Sequence, residues 1–292
     1  MNQIIDGKAI ATNILRQLKE IVKTRKLSLT LATRLANSNP VSMAYKKYKN
    51  IACKRVGIQC ILFQPDSYKA TKLIIRQNND NPEITGIHIQ LPLPANWQNW
   101  QINSIIQAIV PEKDVDCFSV HQIGKLFSHQ REGAIASCTA VGIIWLLKKY
   151  CNSLVGKNVT IIGSSNIVGK PTAGMLLNEG CTVTICNIHT QDLKNYTSQA
   201  DIIVSATGQP GLITPDMVKN GVIIIDAGIA FIDNKKIVGD VDSMTYQKAS
   251  FYTPVPGGVG PMTTAMLIRN LLKCYLVQHE DPETKKMLDK IK

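Results

Sequence analysis

The chain has 292 residues, of which 45% are apolar, and a formal net charge of +12, so it is long enough for two domains with separate cores. It has no apolar stretch of membrane-spanning length and no signal-peptide pattern, so we expect a cytoplasmic protein without a membrane partner. Its basic residues are scattered and only 5% of its residues are aromatic, which argues against a nucleic-acid partner.

The eight cysteines form no Cys-x-x-Cys pair and lie mostly inside apolar segments. This distribution favours reduced core thiols over disulfides or zinc ligands. We therefore predict no metal site.

The first half of the chain alternates helical patterns with short apolar strands, which is typical of a parallel α/β sheet. Asn39 and Pro40 form a helix start, with Asn as the N-cap and Pro in the first turn. Arg34 is an awkward residue for a strand buried on both faces. The predicted elements are helices over residues 7–25, 40–55, 70–77 and 105–109, and strands over 29–36, 58–63 and 84–89.

Four residues in this half are candidates for chemistry. Tyr45 and Lys49 lie one turn apart on the same predicted helix, although a lysine among lysines is usually only solvated. Gln90 follows a parallel strand at its carboxyl end, which is the edge where α/β sites are built. Asp116 lies in a turn and is equally readable as an ordinary loop carboxylate.

The second half restarts the alternation and contains a glycine turn. A β-branched strand ends on Gly163, and Gly169 falls where a helix begins, so backbone N–H groups there are available to a phosphate. The spacing is not Gly-x-Gly-x-x-Gly, so the pattern alone leaves nucleotide binding and a plain strand end equally open. The predicted elements are helices over 140–150 and 169–178, strands over 159–162, 182–186, 201–205 and 222–226, and a stiff loop over 253–263 before a helix that ends near Val277.

Eight short motifs occur in one order along nearly the whole chain, and together they resemble the bifunctional methylenetetrahydrofolate dehydrogenase/cyclohydrolase family. They are Ile-Ile-Asp-Gly-Lys from Ile4, Ser-x-x-Tyr-x-x-x-Lys from Ser42, Gln-Leu-Pro-Leu-Pro from Gln90, Lys-Asp-Val-Asp from Lys113, Gly-x-Ser-x-Ile-Val-Gly-x-Pro from Gly163, Ala-Thr-Gly-Gln-Pro from Ala206, Gly-Asp-Val-Asp from Gly239 and Pro-Val-Pro-Gly-Gly-Val-Gly-Pro-Met-Thr from Pro254.

The resemblance implies two α/β domains with a folate cleft between them, the second being a Rossmann-type dinucleotide-binding domain. Residues 1–139, completed by a C-terminal helix over 262–292, are expected to form the catalytic folate-binding domain. Residues 140–261 are expected to bind NAD(P). The resemblance also implies a homodimer and a role in one-carbon metabolism.

The same resemblance implies the site residues. The catalytic set is Lys49, Tyr45, Gln90 and Asp116. The substrate-binding set is Tyr45, Gln90, Leu91, Pro92, Asp116, Gly258, Pro261 and Thr263. The cofactor-binding set is Gly163, Ser164, Ser165, Val168, Gly169, Ile188, Thr207, Gly208 and Ile229.

These residue types suit the implied chemistry. The methenyl intermediate is cationic, so a lysine that handles the proton of an attacking water needs a pKa lowered from ~10.4 towards ~7–8. The amide of Gln90 orients that amine without adding charge. A carboxylate such as Asp116 accepts two hydrogen bonds from an aminopyrimidine edge, and hydride transfer needs only correctly positioned rings.

The cofactor and two competing functions stay open at this point. The family binds NADP, but its usual Arg and Ser in the cofactor site are Ser164 and Ile188 here, so NAD is the alternative. The chain is also readable as a non-catalytic descendant that binds folate but has impaired cofactor binding. A nicotinamide oxidoreductase for another substrate would explain the second half only.

Overall fold

The structure is a computed structural model that describes residues 3–35, 40–129, 134–232 and 236–291, without the side chains of residues 40–46. The described strands are β1 Gln3–Ile4, β2 Thr30–Arg34, β3 Gln59–Phe63, β4 Gly86–Ile89, β5 Asn158–Ile162, β6 Thr182–Cys186, β7 Ile202–Ser205, β8 Val222–Asp226, β9 Ala230–Ile232, β10 Lys236–Val238 and β11 Ala249–Tyr252. The described α-helices are α1 Gly7–Thr24, α2 Pro40–Val56, α3 Tyr68–Asp80, α4 Asn99–Ile106, α5 Val120–Phe127, α6 Cys138–Tyr150, α7 Gly169–Asn178, α8 Leu193–Thr197, α9 Val259–Gln278 and α10 Pro282–Asp289.

The chain divides into two compact units. The six-stranded unit contains Met1–Ala11 and Thr139–Thr263, and the three-stranded unit contains Thr12–Cys138 and Thr264–Lys292. Residues 1–11 fall in the six-stranded unit because β1 pairs in parallel with β11, whereas the sequence analysis assigns them to the first domain.

The three-stranded unit is built on the parallel sheet β3-β2-β4. On one face, Ile87 and Ile89 of β4 join a core cluster with Ile75 of α3 and Ile105 of α4. The alternate positions of β4 face the other way. There, a Cβ added to Gly86 would overlap the side chain of Val115, so only glycine fits the close packing at this point.

The six-stranded unit is built on the parallel sheet β1-β11-β8-β7-β5-β6. The chain leaves β5 for β6 on one side and then returns to β7 on the other side of β5. The carboxyl ends of β5 and β7 therefore flank the point where the strand order reverses, which is where doubly wound sheets bind their ligands. The antiparallel hairpin β9–β10 stands apart from this sheet.

Two predicted element boundaries are wrong. Helix α9 begins at Val259, inside the segment predicted as a loop. Pro261 is compatible with this start, because N–H groups in the first turn of a helix have no partner within the helix and the missing N–H of proline is not a loss there. Helix α4 ends at Ile106 instead of beginning at 105, and its start is set by the Gln98 N–H, which donates to Gln101 Oε1 over 2.8 Å. The predicted N-cap Asn39 lies outside the described residues.

Two further findings concern the cysteines and the helices of the described residues. All eight cysteines are free thiols, and six of them are buried. None of the described helices is long and apolar enough to span a membrane.

Candidate functional site

Lys49 is buried in the three-stranded unit. Only 1% of the residue is exposed, whereas Lys47 and Tyr48 beside it on α2 are exposed. The interpretation of Lys49 as an ordinary solvated lysine is therefore wrong. Burying an ammonium is costly unless it has polar partners. Burial of Lys49 therefore favours the neutral amine, which can accept a proton.

His88 of β4 lies between Lys49 and Asp116. Lys49 Nζ is 3.2 Å from His88 Nδ1, and His88 Nε2 is 3.5 Å from Asp116 Oδ2. His88 belongs to none of the motifs in the sequence, although its position in the strand gives a signal. It lies two residues before Gln90 along a strand, and residues at that spacing share a face of the sheet.

Burial shifts the pKa values of Asp116 and His88 in the directions that favour their neutral forms. The pKa of Asp116 is raised to about 7, mainly by burial and then by the nearby Asp114, while a hydrogen bond with Cys138 opposes the rise. The pKa of His88 is held well below its usual value by burial and by the charge of Lys49. His88 is thus neutral near pH 7, whereas Asp116 is divided between its neutral and charged forms there.

One carboxyl oxygen of Asp116 is available to accept a hydrogen bond from a ligand. Among the described residues, its buried Oδ2 accepts no hydrogen bond, because the contact with His88 Nε2 is long. A buried carboxylate oxygen without a donor is costly. The site is therefore suited to a ligand that brings its own N–H donors to Asp116.

The Lys-Asp-Val-Asp motif holds Asp116 in place through its other members. Lys113 Nζ donates to the carbonyls of residues 78, 79 and 81 over 2.7 to 3.0 Å, at the carboxyl end of α3. Asp114 accepts hydrogen bonds from the backbone N–H groups of Phe118 and Ser119. The lysine and first aspartate of this motif are structural, and only its second aspartate reaches the cluster.

Gln90 and its neighbours complete the edge of this sheet. Gln90 is buried, and its backbone N–H donates to the carbonyl of Arg34 over 3.1 Å. It lies on the same face of the chain as His88, whereas Leu91 is half-buried and Pro92 is exposed. The side chain of Tyr45 lies outside the described residues, although its backbone belongs to α2.

In the six-stranded unit, the glycine turn after β5 is packed too closely for any side chain. Gly163 has a φ of +110°, and an added Cβ there would lie 2.5 Å from the carbonyl oxygen of Ala206. A Cβ on Gly169 would overlap the Gly163 carbonyl. Ser165 Oγ accepts the N–H of Val168 over 3.1 Å at the start of α7. This cradle fits the backbone approach that a dinucleotide phosphate requires.

The remaining predicted cofactor residues lie at the same carboxyl edge of the sheet. Ser164 follows β5 and is half-buried, and Ile188 follows β6 and is 93% exposed. Thr207 and Gly208 follow β7, and a Cβ on Gly208 would lie 3.5 Å from the carbonyl oxygen of Ile229, which follows β8. Four neighbouring strands thus bring the whole predicted cofactor set to one edge.

A buried carboxylate fixes this edge. Asp240 Oδ2 accepts hydrogen bonds of 2.7 Å from the Ser205 hydroxyl and from the Thr207 backbone N–H. Asp226 at the end of β8 accepts the backbone N–H groups of Gly228 and Asp240. The Gly-Asp-Val-Asp motif therefore supports the loops beside the cofactor edge.

The predicted substrate residues divide between the two units. Gly258, Pro261 and Thr263 belong to the six-stranded unit, where the Thr263 hydroxyl donates to Thr139 Oγ1 over 3.2 Å. Gln90 and Asp116 belong to the three-stranded unit.

The fold and the residues at the carboxyl ends of the two sheets define the class of protein. It is an α/β protein with a dinucleotide-type parallel sheet in one unit and a buried lysine–histidine–aspartate cluster in the other. Residues 5–116 match the family described as tetrahydrofolate dehydrogenase/cyclohydrolase, catalytic domain, and residues 137–279 match that of its NAD(P)-binding domain. The chain belongs to the tetrahydrofolate dehydrogenase/cyclohydrolase family.

Individual relatives agree over almost the full length. The bifunctional protein FolD of Sulfurovum sp. is 44% identical over 279 residues, which cover 93% of this chain and 98% of that protein. The bifunctional FolD enzyme of Campylobacter jejuni has a solved structure with a TM-score of 0.90 at 40% identity, covering 96% and 100% of the two chains. The Trypanosoma brucei enzyme, solved with NADP and an inhibitor, has a TM-score of 0.88 at 32% identity, covering 94% and 97%.

Proposed function

We propose that this protein oxidises 5,10-methylenetetrahydrofolate to 5,10-methenyltetrahydrofolate with NADP and hydrolyses that product to 10-formyltetrahydrofolate. The observation that supports this most strongly is the buried Lys49, held 3.2 Å from His88 beside a buried carboxylate with an unused acceptor. Such a site offers an amine for proton handling and an anchor for a ligand that donates hydrogen bonds.

In the proposed hydrolysis, a water adds to the cationic methenyl carbon and transfers a proton to the neutral amine of Lys49. The bond from that carbon to N5 then breaks, N5 takes up the proton of the new hydroxyl group, and the formyl group remains on N10. The neutral state of His88 matters here, because a second cation beside Lys49 would oppose that proton transfer. Asp116 would hold the aminopyrimidine edge through Oδ2, and Gln90 would orient the amine. Tyr45, Leu91 and Pro92 would line the folate, together with Gly258, Pro261 and Thr263 of the six-stranded unit.

In the proposed oxidation, the protein positions the reactants and needs no acid or base of its own. When bound, NADP supplies the nicotinamide ring that accepts the hydride. Gly163, Ser165 and Gly169 would hold its phosphates at the start of α7. The family's match to an NAD(P)-binding domain and the NADP in the Trypanosoma brucei structure support NADP.

NAD remains the competing cofactor. Ser164 and the exposed Ile188 offer no cationic fork for a 2′-phosphate. No acidic residue follows β6 directly to hold the ribose hydroxyls of NAD, since that strand runs into Cys186-Asn187-Ile188. We assign NADP because the related structure carries it.

The domain roles and the assembly belong to the same proposal. Residues 1–139 with 262–292 would supply the folate chemistry, and residues 140–261 would hold the nucleotide. We further propose a cytoplasmic homodimer. Nothing among the described residues favours the non-catalytic alternative, because Lys49, Gln90 and Asp116 are all present and buried.

The test compares Lys49→Met with Lys47→Met, a matched substitution of an exposed lysine two residues earlier on α2. Removing the proton acceptor should lower the cyclohydrolase kcat by about 10²-fold or more, while Lys47→Met should leave it unchanged. Hydrolysis of methenyltetrahydrofolate is followed by absorbance. Full cyclohydrolase activity in Lys49→Met would refute the role of Lys49.

A further inference from the structure

His88 is a buried polar residue in an otherwise apolar strand. It is 7% exposed and stands between Ile87 and Ile89, which pack into the core on the opposite face of β4. Its two ring nitrogens face Lys49 and Asp116 at 3.2 and 3.5 Å. A polar ring at this position has a cost in burial, and both of its polar atoms are turned towards groups of the proposed site.

The donors and acceptors of the three side chains fix one tautomer. The amine of Lys49 carries N–H donors in both of its protonation states and can only donate when it is charged, so we take Nδ1 of His88 as the acceptor towards Lys49 in both states. The ring proton then resides on Nε2, which faces the acceptor Oδ2 of Asp116. The carboxylate thus selects the tautomer whose other nitrogen can accept from the amine.

We propose that His88 is a positioning residue for Lys49, with Nδ1 accepting a hydrogen bond from the amine and the carboxyl group of Asp116, 3.5 Å from Nε2, favouring that tautomer by its charge rather than by a hydrogen bond. This inference rests on the proposed role of Lys49 in hydrolysis. In this arrangement Asp116 would bind the folate and would also contact His88, which in turn contacts Lys49. Binding of the folate at Asp116 is thereby linked to the placement of the amine.

His88 suits this task better than a charged partner would. A carboxylate in contact with Lys49 would hold the amine in its charged form, whereas a neutral imidazole accepts its hydrogen bond without adding charge. The groups that act on the ring are Lys49 of α2 and Asp116, and Asp116 in turn is influenced by Asp114 in the turn before it and by Cys138 of α6. None of them adds a second cation at the ring.

Three substitutions separate the two contacts of the ring. His88→Leu removes both contacts but keeps an apolar side chain of similar volume in the strand. His88→Asn places an amide near the position of Nδ1, so it keeps a partner for Lys49. His88→Gln places the amide near Nε2, so it keeps a partner for Asp116. Ile87→Val, on the opposite face of β4, is the control for a small packing loss.

We expect His88→Leu and His88→Gln to lower the cyclohydrolase kcat about tenfold or more, as loss of a correctly placed proton acceptor does. The dehydrogenase kcat should change much less, since hydride transfer uses no acid or base. His88→Asn should restore most of the hydrolysis, and Ile87→Val should change neither activity. An equal loss in both activities would show a merely structural role and overturn the proposal, as would an unaffected cyclohydrolase in His88→Leu.

A second measurement uses the unmodified protein and does not depend on how the variants fold. Proton–nitrogen NMR of the histidine rings should show His88 neutral at pH 7 with its proton on Nε2. A proton on Nδ1 would overturn the proposal. The Lys49→Met result keeps the two claims apart: if that variant is inactive in hydrolysis while His88→Leu is fully active, only the inference about His88 fails.

Discussion

At the scale of single residues, the site is organised to keep charge low around one amine. Burial raises the pKa of Asp116 to about 7 and lowers that of His88, so near pH 7 His88 is neutral and Asp116 is only partly charged. A cationic methenyl group entering such a site meets few competing charges. The unsatisfied Oδ2 of Asp116 represents stability given up for binding, which is common at functional sites.

Asp116→Asn tests the raised pKa of Asp116 through the pH dependence of the unfolding free energy. Because the folded pKa of about 7 lies above the unfolded value, the contribution of Asp116 is fully present below about pH 4 and is lost as the pH rises through about 7. The asparagine variant has no titrating group at this position, so it does not lose this contribution as the pH rises. The unfolding free energy of the variant minus that of the parent should therefore increase from pH 5 to pH 8. Urea unfolding at both pH values measures the change.

The same variant should bind folate less well, because an amide cannot accept two hydrogen bonds from the aminopyrimidine edge. Asn270→Asp, which changes charge in the opposite sense at a buried residue of the same unit, should give the reverse pH trend. An Asp116→Asn stability curve parallel to that of the parent at every pH would contradict the raised pKa.

At the scale of elements, the glycine turn after β5 was predictable and the helix ends were not. Apolar β-branched runs identify β5, β7 and β8 directly. Helix α5 follows a short polar stretch, and it starts where Ser119 Oγ accepts the N–H of Gln122, a cap that the sequence analysis did not use. The β1 strand is only two residues long, too short for any periodicity to show.

Gly169→Ala tests the turn. The added Cβ would overlap the Gly163 carbonyl, so α7 or the turn must move. We expect a loss of about 1–3 kcal/mol in unfolding free energy and weaker NADP binding, measured by denaturation and by fluorescence titration. Gly124→Ala on α5, where a Cβ meets nothing within 4 Å, is the matched control and should not be destabilised. Unchanged NADP binding in Gly169→Ala would contradict the cradle.

Lys113→Met tests the cap on α3. It removes a cation that donates to three carbonyls at the carboxyl end of that helix, and hydrogen bonds to charged groups contribute about 1.5–3 kcal/mol each at most. We expect a drop in unfolding free energy of that order, measured in urea. The exposed Lys69 on the same helix supplies the control Lys69→Met, and equal stability of the two variants would show that the cap is unimportant.

At the scale of the whole molecule, the motifs identified the family, but contacts between distant segments required the structure. Asn270 of α9 donates to the carbonyls of Val115 and Ala136 over 2.8 and 2.7 Å and so supports the turn that carries Asp116. Nothing local marks this asparagine, because its partners are far away in sequence. The contact between His88 of β4 and Lys49 of α2 likewise joins segments that are distant in sequence.

Turnover of the folate substrate is the most direct test of the proposed function. The purified protein is given 5,10-methylenetetrahydrofolate with NADP or with NAD, and the methenyl product is followed by absorbance. We predict turnover with NADP exceeding that with NAD. Turnover with NAD alone would contradict the cofactor assignment, and no turnover with either cofactor, in a folded protein that still binds folate, would contradict the proposed function.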